Sequence, residues 1–250
     1  MKNREPAVPP SDIRRMDAAA LSAFVEGNIL RMTEEEAVLV LANRNATSQI
    51  CQAIAQNQKL TSYYTVRARL VSHRATPQAQ ALKFVRHLYW ADLLRYSTNV
   101  LIPAAVRRSI DQQLAGRLGQ LTLGQRISSA KSCSTELIRL VMFDHDARVF
   151  RALLNNPRLR EDDLVVLIAS ERASAEQLHL ISVDRKWAFR YSIRRSLVLN
   201  PTTPRAIAAS QLRHLRKSDL ELLAKNPQTS TYLKRCIERL EGPPAAEMEA

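Results

Sequence analysis

A short recurring pattern constrains this chain more than its composition does. The stretch Ile193 to Pro204 reads IRRSLVLNPTTP, and its first five residues are apolar, basic, basic, small and apolar. Variants of that pentad recur as Val66-Arg67-Ala68-Arg69-Leu70, Val106-Arg107-Arg108-Ser109-Ile110, Val149-Phe150-Arg151-Ala152-Leu153 and Leu233-Lys234-Arg235-Cys236-Ile237. The starts at Val66, Val106, Val149, Ile193 and Leu233 are almost evenly spaced. The period, roughly 40 residues, marks a stacked repeat, in which each unit buries its apolar face only on its neighbours. Gly is scarce, 5 residues in 250, and three of the five, Gly116, Gly119 and Gly124, crowd into one stretch. A chain so poor in Gly and so rich in Ala, Leu and Arg favours helix nearly throughout.

A longer period overlies the short one. With Ser22 placed on Val149, Ser22–Leu114 aligns without a gap on Val149–Glu241, and about 24 of the 93 pairs are identical. The matches include Tyr64 with Tyr191, Thr76-Pro77 with Thr203-Pro204, Arg86-His87-Leu88 with Arg213-His214-Leu215, Asp92-Leu93 with Asp219-Leu220, and Asn99 with Asn226. The reading is an all-α, right-handed α-α superhelix of about four to five three-helix repeats, internally duplicated. A single solenoid domain covers 12–241, with half one at 22–114, a junction at 115–148 and half two at 149–241. Residues 1–11 read as a disordered N-terminal arm and 242–250 as a disordered C-terminal tail.

Local signals place the helices. Thr33 with Glu36, Ser174 with Gln177 and Ser218 with Glu221 have capping-box spacing, in which hydroxyl and carboxylate or amide satisfy each other's free backbone N–H. Thr76-Pro77 places a cap before a proline at the first helical position. Asp92 opens a further short helix as its cap. Asn156-Pro157, Asn200-Pro201 and Asn226-Pro227 mark helix ends, because the residue before proline leaves the α region and Asn tolerates a left-handed cap. On those features the run STELIRLVMFDHDARVFRALLNNPRLREDDLVVLIAS resembles the bacterial leucine-rich-repeat-variant and HEAT-like (HEAT/armadillo) families. They repeat Asp, Val-Arg, an aliphatic pair and Asn-Pro. The resemblance spans roughly 30–240 and implies an α-solenoid that binds a partner.

The formal net charge is +13 and the isoelectric point about 10.2. Such an excess attracts polyanions: nucleic acid, an anionic membrane or an acidic protein surface. No apolar run approaches the roughly 20 residues of a membrane span, so no span is expected. Cys51, Cys133 and Cys236 are far apart and lack metal spacing, so they read as reduced thiols of a cytoplasmic protein. No cofactor motif is present and no catalytic motif either.

The candidate ligand-binding residues are the pentad cations. With the first and fifth positions buried, the second, and to a lesser degree the third, are expected to face outward. Arg67, Arg107, Arg194 and Lys234 then form one basic row, and Arg108, Arg151, Arg195 and Arg235 another. Two readings stay open for these rows: a ladder of cations for an extended acidic ligand, or struts that cover apolar surface between repeats. His87 and His214, equivalent in the two halves, suit helix C-termini. Asp144-His145-Asp146 invites a metal, but Asp146 also makes a good helix cap. The expected function is a non-enzymatic scaffold for a protein partner, with an acidic one favoured by charge. The alternative is a nucleic-acid-binding solenoid similar to helical-repeat DNA glycosylases, for which Trp90 with Asp92 is a loose echo of the needed Trp and Asp.

Overall fold

The structure, a computed structural model, describes residues 9–241. Residues 1–8 of the expected arm, and the tail 242–250, lie outside the described residues. Pro10 and Ser11, the last two residues of that arm, open the first helix. The described residues contain eighteen α-helices, one 3₁₀ turn and no strand. The all-α expectation holds, and none of the helices is long and apolar enough to cross a membrane.

The chain divides into two compact units between Gln120 and Leu121. The first contains α1 (Pro10–Arg15), α2 (Ala18–Asn28), α3 (Glu34–Ala42), α4 (Ser48–Gln56), α5 (Gln58–Ser62), α6 (Tyr64–Ser72), α7 (Gln78–Val85), α8 (Trp90–Ser97) and α9 (Ala104–Arg117). The second contains α10 (Leu123–Ser132), α11 (Thr135–Val141), α12 (Ala147–Leu154), α13 (Glu161–Ala169), α14 (Ala175–Val183), α15 (Tyr191–Leu199), α16 (Arg205–Leu212), α17 (Lys217–Lys225) and α18 (Thr231–Glu241).

Within each unit, helices pack on the next in sequence and on the next but one, except that α3 reaches past α4 and α5 to α6. In the first, α1 packs on α3, α3 on α6 and α7 on α9, with α6 on α7 and α8 on α9 as cross-links. In the second, α10, α12 and α14 pack in series, as do α13 with α15 and α16 with α18. The cross-links there are α11 on α12, α14 on α15, α15 on α16 and α17 on α18. This is the contact pattern of antiparallel helix hairpins stacked in two layers, a solenoid-like arrangement.

The apolar members of the pentads form the core. Val66, Leu70, Val106, Ile110, Val149, Leu153, Ile193, Leu197, Leu233 and Ile237 are all buried. First and fifth positions lie only about 40° apart around a helix, so one stripe carries both into the neighbouring layer.

Helix ends are held as several local signals require. Thr33 and Glu36 exchange both bonds of a capping box, and so do Ser174 and Gln177. Three expectations are corrected. Ser218 lies inside α17, whose cap residue is Arg216, so it caps nothing. Thr76 and Thr203 stand one residue too early, because Pro77 and Pro204 occupy the cap positions themselves. A proline ring there needs no N–H and presets the entry. Asp92 lies in the first turn of α8 rather than before it.

The asparagines do a different job from the one expected. Asn200 has φ −79° and ψ 120°, and Asn226 has φ −71° and ψ 122°, so neither is left-handed. Their amides explain the choice. Asn43 Nδ2 donates to Ile13 O at 2.8 Å and Met16 O at 3.0 Å, and Asn156 Nδ2 donates to Ala130 O at 2.8 Å. Asn200 Nδ2 donates likewise to Ile168 O. In each, Oδ1 accepts a backbone N–H two residues on: Asn45 at 2.8 Å, Arg158 at 2.8 Å and Thr202 at 2.7 Å. One buried amide thus closes its own turn and ties down the C-terminal end of an earlier helix, satisfying carbonyls with no helical partner.

Candidate binding surfaces

The pentad cations fall into two classes, in the opposite order to that expected. Arg108, Arg151, Arg195 and Arg235, at the third position, are exposed. Arg67, Arg107, Arg194 and Lys234, at the second, are only half-exposed. Arg107 Nε donates to Ile102 O at 3.1 Å, and Arg194 Nε donates to Ala188 O at 2.9 Å. The Nε of Arg67 is buried. Helix geometry explains the reversal. The buried stripe centres about 20° from the first position, so the second lies about 80° away on the flank and the third about 180° away.

Within the second unit the third-position cations also do not share one layer. In the second unit α12 and α18 pack with the even-numbered helices, whereas α15 packs beside α13. Arg151 and Arg235 therefore belong to one layer and Arg195 to the other. Arg195 Nε is 3.0 Å from Asp219 Oδ1. Arg108, Arg151 and Arg235 make no ion pair with another described residue.

Two grooves lie at places that the internal alignment makes equivalent. One, of about 420 Å³, opens between α6 and α8, lined by Tyr64, Arg69, Asp92, Arg95 and Tyr96 among others. The other, of about 240 Å³, opens between α15 and α17, lined by Arg195, Leu199, Asp219, Leu222, Leu223 and Asn226. Each is built on the same bond, with Tyr64 Oη donating to Asp92 and Tyr191 Oη to Asp219. Each phenol oxygen also accepts a backbone N–H at 3.1 Å, from Tyr89 and from Arg216. Burial, followed by the bond to Asp92, pushes the Tyr64 hydroxyl up to about 12. The Tyr191 hydroxyl, followed by Arg195, holds the Asp219 carboxyl below its ordinary range.

The grooves differ in lining. The first is polar, with Arg95 Nη2 2.6 Å from Asp92. In the second, Leu222 and Leu223 stand where Arg95 and Tyr96 stand in the first, and Leu199 replaces Ser72. Leu222 is 62% exposed and Leu199 44%, with Val166 of α13 at 62%. The Tyr–Asp bond is the feature that residue-by-residue reading misses. The signal for it is the shared separation of 28 residues in both halves.

The other candidates are committed elsewhere. Asp144 takes Arg126 Nη1 on both oxygens, at 2.7 and 2.6 Å. Asp146 caps α12 and pairs with Arg148 at 2.8 Å, and those bonds hold its carboxyl down at about 2. Among the described residues no cluster of three His, Cys, Asp or Glu is placed to hold a metal. Cys51 Sγ lies 3.3 Å from His73 Nδ1, a spacing that suggests a nucleophile and its base. Burial pushes the Cys51 thiol up and the His73 imidazole down, so both groups rest neutral. His87 and His214 lie just past the ends of α7 and α16. Asp92 is bound to Tyr64 and Arg95.

No protein-family model matches the chain, and no curated protein or solved structure does either.

Proposed function

We propose that this protein is a non-enzymatic helical-repeat scaffold that holds an acidic, partly apolar protein segment in the α15/α17 groove. The observation that supports the reading is the exposure of Leu199 and Leu222 beside Arg195 in one groove. Apolar surface interleaved with opposite charges suits a protein partner better than a phosphate backbone, which would meet a continuous cationic wall. The same reading treats the chain as two copies of one helical module, the second beginning at Val149 where the first begins at Ser22. A sequence period of three helices is then laid over two-helix hairpins. Recurrence of the Tyr–Asp bond at both places supports the duplication. One copy has kept a polar groove and the other has acquired leucines, as a binding site carried on a repeat scaffold does.

A displayed random-peptide library selected on the full chain tests the proposal, run in parallel on wild type and on Leu222→Asp. The expected result is enrichment of peptides that combine Asp or Glu with Leu or Phe on wild type alone, with both proteins melting at the same temperature. Equal enrichment on the two proteins would place the binding elsewhere.

A further inference from the structure

The loop that leads into α15 carries a second surface of different chemistry. The loop from Asp184 to Arg190 reads DRKWAFR, and it is fixed at both ends. Asp184 Oδ1 accepts Lys186 N at 2.8 Å and Trp187 N at 3.3 Å. Trp187 is buried and donates Nε1–H to Leu154 O at 3.1 Å, while Ala188 O receives Arg194 Nε at 2.9 Å. Between these anchors Phe189 is 73% exposed. A large apolar ring on a pinned loop has a fixed place in solvent, and nothing in its own unit covers it.

One cation lies over the ring, and others are close to it in the chain. The Arg194 guanidinium lies 5.6 Å from the Phe189 centroid. Arg185, Lys186 and Arg190 flank it on the loop and are exposed, and so are Arg213 and His214 from the end of α16. Desolvation, then Arg194 and Arg213, hold His214 below its ordinary range, so the imidazole rests neutral with both guanidiniums as neighbours. Two carboxylates are near. Asp184 is turned into its own loop, and Glu161 lies 3.9 Å from Arg190 with both side chains solvated. The patch therefore keeps a strong positive excess around one exposed aromatic face. The equivalent position in the first half is Ser62, so no ring stands at that place in the first unit.

We infer that the Phe189 corner of the second unit is a binding site for single-stranded nucleic acid, with an unpaired base stacked on Phe189 and flanking phosphates on Arg190, Arg194 and Arg213. Every base has a π-face, so one exposed ring on a rigid loop stacks on a single strand without reading its sequence. A duplex keeps its bases stacked on one another and offers this ring only its backbone. An acidic peptide without aromatic residues, such as polyglutamate, would use the cations and leave the ring without a planar partner. This inference is independent of the α15/α17 groove, since the two surfaces share neither Phe189 nor the leucines.

Fluorescence anisotropy with a labelled oligothymidylate and the full-length protein tests it, with a duplex of equal length and polyglutamate as competitors. Phe189→Ala should weaken oligothymidylate binding about tenfold or more at unchanged melting temperature, and Phe189→Tyr should restore it. Arg213→Ala should flatten the salt dependence of log K by roughly 0.7, the share of one single-strand phosphate contact. Absence of binding would overturn the assignment, as would binding that Phe189→Ala leaves intact. Equal displacement by duplex or polyglutamate would also overturn it, showing only nonspecific attraction to polyanions.

Discussion

The Tyr64 hydroxyl donates to the Asp92 carboxylate and at the same time accepts the backbone N–H of Tyr89 at 3.1 Å. One phenol oxygen thereby joins the start of α6 to the entry of α8. The Tyr191 hydroxyl joins α15 to α17 in the same way, through Asp219 and Arg216 N. Both bonds lie at the grooves, one between α6 and α8 and the other between α15 and α17.

The bond has a signature in alkali. The Tyr64 hydroxyl loses its proton near 12 in the fold, above the ordinary 10.0. The unfolded chain gives up that proton first, so the stabilisation is complete below about pH 10 and is lost as pH rises towards 12. Tyr64→Phe should cost about 1 kcal/mol at neutral pH. It should also remove part of the fall in melting temperature across that alkaline range. Parallel slopes for wild type and variant would show that the hydroxyl is not coupled to folding.

The buried asparagines predict an unusual ranking of substitutions. Asn156 is fully buried, donating to Ala130 O at 2.8 Å and accepting Arg158 N at 2.8 Å. Asn156→Ala leaves two backbone groups unsatisfied and should cost about 1–3 kcal/mol. Asn156→Asp should cost more, although it is nearly isosteric, because it turns a carboxylate onto the Ala130 carbonyl. Urea denaturation of the three proteins gives the order directly. A milder effect from Asp than from Ala would mean that the amide donor is unimportant.

The contrast between what was legible and what was not follows from range. Pentad spacing at Val106 and Ile110 or Ile193 and Leu197 identified core residues, because helical phase depends only on residues one turn apart. The caps at Thr33 and Ser174 are local in the same sense. The role of Asn43 was hidden, since its amide reaches a carbonyl 30 residues away that no local pattern names. Alternation of the second unit's pentads between layers also stayed hidden, because it depends on how helices stack. The outward face was readable and misassigned: with positions one and five buried, the third position must point away.

Thiol reactivity separates the three cysteines. Cys51 and Cys133 are buried, and burial pushes the Cys51 thiol up, which lowers its thiolate fraction further. Cys236 on α18 is partly exposed. Titration of the native protein with a chromogenic disulfide should therefore show one fast thiol, absent from Cys236→Ser, and two that react only on unfolding. A fast phase that survives in Cys236→Ser would indicate that Cys51 and its neighbour His73 open to solvent.

The two classes of pentad arginine should respond in opposite ways to truncation. Arg107 and Arg194 each give Nε to a backbone carbonyl in the loop before their own helix, at 3.1 and 2.9 Å, and are half-buried. Arg107→Ala and Arg194→Ala should each cost about 1.5–3 kcal/mol, the range for a hydrogen bond to a charged group. Arg108, Arg151 and Arg235 are exposed and make no ion pair with another described residue, so their removal should stay within about 0.5 kcal/mol. Arg195→Ala belongs between the two, because its contact with Asp219 at 3.0 Å is an exposed pair worth about 0–1 kcal/mol. Thermal melts of the six single variants settle the order. Were the third-position variants the destabilised ones, the second-position arginines would be the free cations and the braces would lie on the outer face. Were all six neutral, the carbonyl bonds of Arg107 and Arg194 would be exchanged for water at no cost.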